Sequence, residues 1–228
     1  MSDRGALAAL DAAVHECRRC PRLVDWREQV AREKRAAFRD ETYWGRPISG
    51  FGDPAARILL LGLAPAAHGG NRTGRVFTGD RSGDFLFAAL HRAGYASQAT
   101  STHAGDGLAL RDCFITAAVR CAPPANMPLP EERVRCSRWL ERELDLIATP
   151  RVIVCLGAYA WEAALRTPVL ADGPLPRPRP HFGHGAEYRR LLGCFHPSQQ
   201  NTFTGKLTTA MIDDVLLRAR ALAEKPFA

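Results

Sequence analysis

Ile58-Leu59-Leu60-Leu61-Gly62-Leu63-Ala64-Pro65-Ala66-Ala67-His68-Gly69-Gly70-Asn71-Arg72-Thr73-Gly74-Arg75-Val76-Phe77-Thr78-Gly79-Asp80 is the stretch from which the fold is read. It begins as a short aliphatic run stopped by glycine, the pattern of a buried strand, and continues as a loop dense in small residues. Comparable runs recur at 114–118, 152–156 and 191–195. Apolar throughout rather than alternating, they predict strands covered on both faces, which is the habit of parallel sheets. Between them, helical spacing predicts helices over 5–17, 85–93, 131–147, 158–166 and 207–223. The alternation predicts an α/β chain: a three-layer α/β/α sandwich around a central four-stranded parallel sheet, with right-handed crossovers. Two stretches lack a period: 35–53, read as an irregular approach to the first strand, and the Pro-, Gly-, Arg- and His-rich 172–184, read as a surface loop. Ligands of such sheets bind at the carboxyl ends of the strands. That singles out the loop 62–80 and a second one, His196-Pro197-Ser198-Gln199-Gln200-Asn201-Thr202.

A chain of 228 residues, 46% of them hydrophobic, can bury one substantial core, so a single domain over 1–228 is expected, with its first helix contributing to the cysteine site. No apolar run approaches the ~18–20 residues of a membrane span, and Met1-Ser2-Asp3-Arg4 lacks the apolar stretch of a signal peptide; a cytoplasmic protein is expected. The net charge of +7 favours a polyanionic partner, although Lys34, Lys206 and Lys225 are the only lysines and arginine usage also follows genome composition.

Seven cysteines without an export signal do not form a disulfide framework, because cytosolic thiols stay reduced. Cys113, Cys155 and Cys194 fall in strand-like runs, where a thiol packs as a small hydrophobe. Cys17, Cys20, Cys121 and Cys136 remain for chemistry. The first two form a C-x-x-C at a helix end, and the others are separated by 14 residues. A zinc ribbon would supply a second C-x-x-C, which is missing, and four such thiolates suit a cubane iron–sulfur cluster at least as well. A redox dithiol at Cys17 and Cys20 would leave the distant pair unexplained. Spacing leaves iron–sulfur and zinc both open.

In the loop 62–80, small residues including Gly62, Ala64 and Ala66 allow a backbone to approach a ligand closely. The phosphate-binding lysine of G-x-x-x-x-G-K-[ST] and the dinucleotide fingerprint G-x-G-x-x-G are both absent, which disfavours nucleoside triphosphates and nicotinamide cofactors. What the loop offers is an aromatic face, Phe77, that can stack a base, two cations, Arg72 and Arg75, that can meet phosphates, and a carboxylate, Asp80. The structural alternatives are Phe77 in the core, solvated arginines, and Asp80 as the cap of a helix starting near Ser82.

These residues carry a resemblance. The amino-terminal C-x-x-C, the G-L-A-P-A…G-x-N-R-T-G-R…F-T-G-D loop, Ala117-Ala118-Val119-Arg120-Cys121-Ala122-Pro123-Pro124-Ala125-Asn126, Cys136 and His196-Pro197-Ser198 stand in one order over nearly the whole chain, and the chain resembles the iron–sulfur uracil-DNA glycosylases of the family 5, or B, type. The resemblance implies a [4Fe–4S] cluster on Cys17, Cys20, Cys121 and Cys136, and excision of a damaged base from DNA, double-stranded DNA being expected as partner and a monomer as the working form. The related family 4 pattern has a glutamate in G-E-A-P-G and an asparagine in I-T-N; here Leu63 and Ala117 stand instead. Without that amide the pocket is expected to discriminate less, admitting hypoxanthine, xanthine or modified uracils. The usual water-activating side chain of the first motif is also missing, since Ala66 and Ala67 carry no base.

On that reading the nucleotide is flipped out of the duplex and stacked on Phe77. His196 donates to the developing base anion, Asp80 stabilises the sugar cation or orients water, and Asn126 positions water or base. Ser198 holds phosphate, Gln199 or Gln200 lies near the gap left by the base, and the run 198–204, read as lacking a large apolar wedge, predicts modest duplex penetration. His184, between glycines, is a weaker site candidate.

Overall fold

A computed structural model describes residues 3–148 and 150–225. Its six strands are β1 (Phe51–Gly52), β2 (Ile58–Gly62), β3 (Cys113–Ala117), β4 (Val152–Leu156), β5 (Glu187–Tyr188) and β6 (Leu191–Cys194). Its helices are α1 (Asp3–His15), α2 (Pro21–Glu33), α3 (Gly70–Thr73), α4 (Arg81–Arg92), α5 (Pro130–Leu144), α6 (Ala158–Arg166), α7 (Pro168–Ala171), α8 (Gln199–Phe203) and α9 (Thr209–Glu224). The strands form one sheet in the order β1-β3-β2-β4-β6-β5.

The four aliphatic runs are the parallel centre, with Leu60 opposite both Ile115 and Val154. The four-stranded sheet is corrected to six: the two-residue strands β1 and β5 add antiparallel edges. Two residues are too few to show a period: β1 hides in the irregular stretch 35–53, and β5 lies just beyond the loop read over 172–184. The helix α2 is not among the helices expected from spacing; Pro21 occupies its first turn, where its missing N–H costs nothing.

Every residue of β2, β3, β4 and β6 is buried. Because successive side chains alternate between faces, Ile58 and Leu60 pack with α4 and α9 through Leu86, Phe87, Val215 and Leu216. Leu59 and Leu61 pack with α5 and α6 through Leu140, Leu144, Trp161 and Leu165. That is the three-layer sandwich. A separate small core of Leu10, Val14, Leu23, Val119 and Trp139 joins α1 and α2 to α5 around the cysteines.

From β2 the chain passes to β3 on one side, then crosses to β4 on the other. At such a reversal neighbouring loops part and leave a crevice outside the carboxyl ends of the strands. No helix among the described residues is long and apolar enough to cross a membrane.

Candidate base pocket and cysteine centre

Three of these carboxyl-end loops close on one cavity of about 250 Å³, lined by Leu63, Ala64, Pro65, Ala66, Phe77, Asp80, Ser82, Asn126, His196 and Ser198. It lies below the ~300–1,000 Å³ typical of drug-sized ligands. Gly62, at the end of β2, has a steric reason: a Cβ there would lie 2.8 Å from the Phe77 ring. Phe77 itself has φ of +50°, in the left-handed region that a bulky residue adopts at a cost of ~1–3 kcal/mol. The turn sets its ring across the end of β2, with its centroid 6.0 Å from that of His196.

Asp80 caps α4: its Oδ1 accepts from the Gly83 N–H at 3.0 Å. The structural alternative is therefore realised, and it coexists with a place in the pocket. The other oxygen faces Gly69, where a Cβ would stand 2.0 Å from Oδ2, so only glycine leaves room for the carboxylate. Burial pushes the Asp80 carboxyl above its ordinary range, and the N–H groups of Gly83 and Ser82 oppose the shift.

Asn126 ends a 3-10 turn in which it and Ala125 have φ of +55° and +52°. Asparagine tolerates this region better than alanine does, and the side-chain amide stays exposed at the cavity rim. His196 follows β6; its carbonyl accepts from Asn201 Nδ2 at 2.9 Å, and Gly157 packs against its Cβ. Burial lowers the ring to about 4, so the imidazole is neutral at pH 7 and donates through one nitrogen.

One expected outcome follows for stability. The unfolded ring protonates near 6.5 and the folded one near 4. Between those values the unfolded chain binds a proton that the folded one refuses, so the contribution is complete above 6.5 and is lost as pH falls towards 4, at up to about 1.4 kcal/mol per pH unit. Thermal melts from pH 7 to 4.5 should fall more steeply for the native protein than for His196→Asn; parallel slopes would exclude the burial.

The two loop arginines are corrected. Arg72 donates to the carbonyls of His68 at 2.8 Å and Gly79 at 2.7 Å, pairs with Glu41, and covers the Phe38 ring. Arg75 is bidentate to Asp106 at 2.7 and 2.9 Å and bonds Ser101 and Thr78. Both are buried and committed to internal partners, so neither is a free phosphate ligand; they brace the loop that holds Phe77 and Asp80. His184 accepts from the Phe195 N–H, stacks on that ring and lies outside the pocket lining.

Ser198 lines the pocket and caps α8, its Oγ accepting from Asn201 N–H at 3.4 Å. Gln199 lines a neighbouring cleft of about 1090 Å³ that shares Ala66, Asp80 and Asn126 with the pocket. Gln200 is exposed one residue further on. The absence of an apolar wedge is corrected: Phe203, last residue of α8, is 65% exposed with the Arg81 guanidinium 5.2 Å from its ring. Beside Asn126, Met127 is also exposed. Nothing in the local sequence distinguishes such residues from core members; only the position of α8 exposes the ring.

The four singled-out cysteines line a second, small cavity with Arg120, Arg135 and Trp139. Cys17 and Cys20 flank the α1–α2 junction, Cys121 follows β3 and Cys136 lies on α5. Three of the sulfurs receive N–H donors: Cys17 from Trp139 Nε1 at 3.4 Å, Cys121 from Arg27 Nη1 at 3.0 Å, Cys136 from the Arg120 backbone at 3.3 Å. Arg27 is 2% exposed, its Nε has no partner, and its nearest carboxylate, Glu28, is 3.8 Å away. A neutral thiol does not compensate a buried guanidinium; an anionic thiolate does. No three His, Cys, Asp or Glu side chains among the described residues meet closely enough to hold one ion. The chemistry of the donor set, four thiols around one cavity with a buried guanidinium beside Cys121, fits a thiolate-held metal group. Cys113, Cys155 and Cys194 are buried in the sheet as small hydrophobes. A further cavity of about 310 Å³, between α5 and α6, takes only Ala118 from the quoted motifs and none of the candidate site residues.

Comparison with known proteins follows the same lines. The family model for the uracil DNA glycosylase superfamily matches residues 49–220. The chain is similar to a type-5 uracil-DNA glycosylase of Mycobacterium bovis, 55% identical over 96% of this chain and 82% of that protein. It is similar to one of Thermus thermophilus, 55% identical over 91% of this chain and 94% of that protein. To a type-4 uracil-DNA glycosylase of Archaeoglobus fulgidus it is 35% identical, over 50% of this chain and 49% of that protein.

Proposed function

The chain belongs to the uracil DNA glycosylase superfamily and removes uracil from DNA as a hydrolase of the N-glycosyl bond; we propose that Asp80, Asn126 and His196 carry the reaction. One observation carries this reading: an acid, an amide, an imidazole and an aromatic ring from three separate loops share one cavity.

As the bond between C1′ and the base nitrogen stretches, positive charge grows on the sugar and negative charge on the base. The neutral His196 ring donates a hydrogen bond to the base oxygen as it gains charge. The Asp80 carboxylate faces the sugar cation and orients the water whose oxygen bonds C1′ as the C1′–N bond breaks; the proton that water loses is taken by Asp80 and passes to solvent, from which the released base anion is protonated, while Asn126 holds that water or the base edge. Phe77 stacks the extruded base, its ring seated against Gly62, with Ala64 and Ala66 as the floor. Ser198 holds the adjoining phosphate, with Gln199 and Gln200 over the gap. Free uracil and an abasic site are the products; a uracil-bearing duplex that is bound but releases no base would refute the assignment.

The pocket is proposed to accept hypoxanthine or xanthine as well. Ala117 ends β3 without an amide, which leaves Asn126 as the carboxamide of the cavity wall. The four cysteines are proposed to hold a [4Fe–4S] cluster, with Arg27 balancing its negative charge; as a group fully ligated by thiolates it supplies structural cohesion rather than a site for water. A monomer is the proposed working form, and the cytoplasm, where genomic DNA is met, the proposed location.

Double-stranded DNA is the proposed form of substrate; Phe203, 65% exposed on α8, is the side chain we assign to the space a flipped base vacates. Phe203→Ala is expected to lose about 1–3 kcal/mol of stacking, roughly tenfold to a hundredfold in kcat/KM on duplex and little on single strands. Equal losses on both substrates would remove Phe203 from the duplex.

A further inference from the structure

We propose that His68, held by Tyr43, is a phosphodiester-binding residue of the cleft beside the base pocket, presenting a neutral imidazole N–H to the DNA strand that carries the extruded nucleotide. The proposal rests on the reading that uracil-bearing DNA is the substrate, and it adds a subsite to the pocket.

The buried Tyr43 hydroxyl accepts from the backbone N–H of Arg35 at 3.4 Å and lies 3.0 Å from His68 Nδ1, with no other partner among the described residues. The only acceptor in reach of the phenolic proton is therefore Nδ1, and the imidazole proton stands on Nε2. The two rings meet edge-on at 80°. With Nδ1 turned to Tyr43, the edge facing the cleft is the one that carries Nε2, which has no hydrogen-bond partner among the described residues. The backbone of His68 is fixed as well, because its carbonyl accepts from Arg72 Nε at 2.8 Å. Burial, with Arg35 and Arg72 nearby, lowers the proton affinity of the ring.

The result is a pre-positioned, uncharged donor at the wall of the 1090 Å³ cleft that shares Ala66, Asp80 and Asn126 with the base pocket. A nucleotide whose base fills the pocket must run its sugar–phosphate through the adjoining space. Arg35 and Arg81 line this cleft and enter no ion pair among the described residues, whereas Glu41 is paired with Arg72 and Asp84 lies close to Arg81. With Asp80 counted, three arginines face three carboxylates in this cleft, so an uncharged N–H from His68, rather than a surplus of positive charge, is what meets the phosphate, with Arg35 a cation free of an ion pair among the described residues. A fixed N–H to that phosphate sets the register of the strand rather than its sequence.

The test uses duplexes carrying a 2′-fluorinated uridine that resists cleavage, with single neutral methylphosphonate linkages placed in turn on either side of it. In binding titrations, one linkage should cost the native protein roughly tenfold in affinity. His68→Ala should weaken the all-phosphate duplex by a similar factor and be indifferent to methylphosphonate at that same linkage. His68→Gln, which keeps an N–H donor, should recover most of the affinity. Tyr43→Phe, which keeps the ring and frees the tautomer, should fall between and carries the test if His68→Ala melts early. If His68→Ala keeps native sensitivity at every linkage, or binds the all-phosphate duplex as the native protein does, the subsite is wrong. Failure of the native protein to release uracil from a cleavable duplex would instead strike the glycosylase reading, while the binding titrations still report on His68.

Discussion

Asparagine in place of Asp80 should slow uracil release by a factor on the order of 10²–10³ without lowering the melting temperature. The two effects part because Asp80 does two things. As the N-cap of α4 it accepts from Gly83 N–H, and asparagine caps a helix about as well as aspartate. As a buried carboxylate its carboxyl is raised above the ordinary range, so its charge at neutral pH weighs against the folded state. Neutralising it should leave the protein slightly more stable and nearly inactive, the relation expected where a site trades stability for function. Asp80→Ala should lose the same activity and, in addition, ~1 kcal/mol of cap. Single-turnover base release and thermal melts on both variants decide the matter. Activity of Asp80→Asn within about threefold of native would return the residue to capping alone.

The second large effect is expected at Cys121. Cys121→Ala should strip bound iron and sulfide, bleach the visible absorbance of the freshly prepared protein, and destabilise it by about 3–5 kcal/mol, a fall on the order of 10 °C in melting temperature. The size of the loss comes from Arg27: 2% exposed and bonded to Cys121 Sγ at 3.0 Å, it would be left as a buried cation with only the more exposed Glu28, 3.8 Å away, as counter-charge. The double variant Arg27→Met, Cys121→Ala should therefore recover part of the stability but none of the metal, a non-additivity that identifies the pair as one unit. Native protein without iron, or Cys121→Ala with its full complement, would overturn the cluster. Zinc in place of iron would keep the centre and change its identity.

How much of this was legible in advance differs from residue to residue. Asp80 and Phe77 could be named because glycines and polar residues crowd behind an aliphatic run, His196 because it opens the loop after the last one, and Asn126 only through the family resemblance; all four line one cavity. Arg72 and Arg75 stand in the same loop with the same prominence, yet they turn inward to Gly79 and Asp106. A charged side chain looks the same in sequence whether its partner is a phosphate or a carbonyl 7 residues away, and only the turn geometry decides. Phe203 shows the converse. Aromatic residues belong in cores by default, and its exposure depends on where α8 sits.

What the amino-acid sequence determined alone was whatever is local or periodic: the four buried parallel strands, the helices between them, the loops at the carboxyl ends, and cysteines too widely spaced for a ribbon. Hydrophobic period and turn chemistry act over a few residues, so they can be read there. The tertiary structure alone decided which groups meet: the antiparallel edges, the inward arginines, the Tyr43 hydroxyl set against His68 Nδ1, and the guanidinium of Arg27 set against Cys121, 94 positions away. Those pairings depend on how layers pack and chains cross, and no neighbour in sequence carries that information.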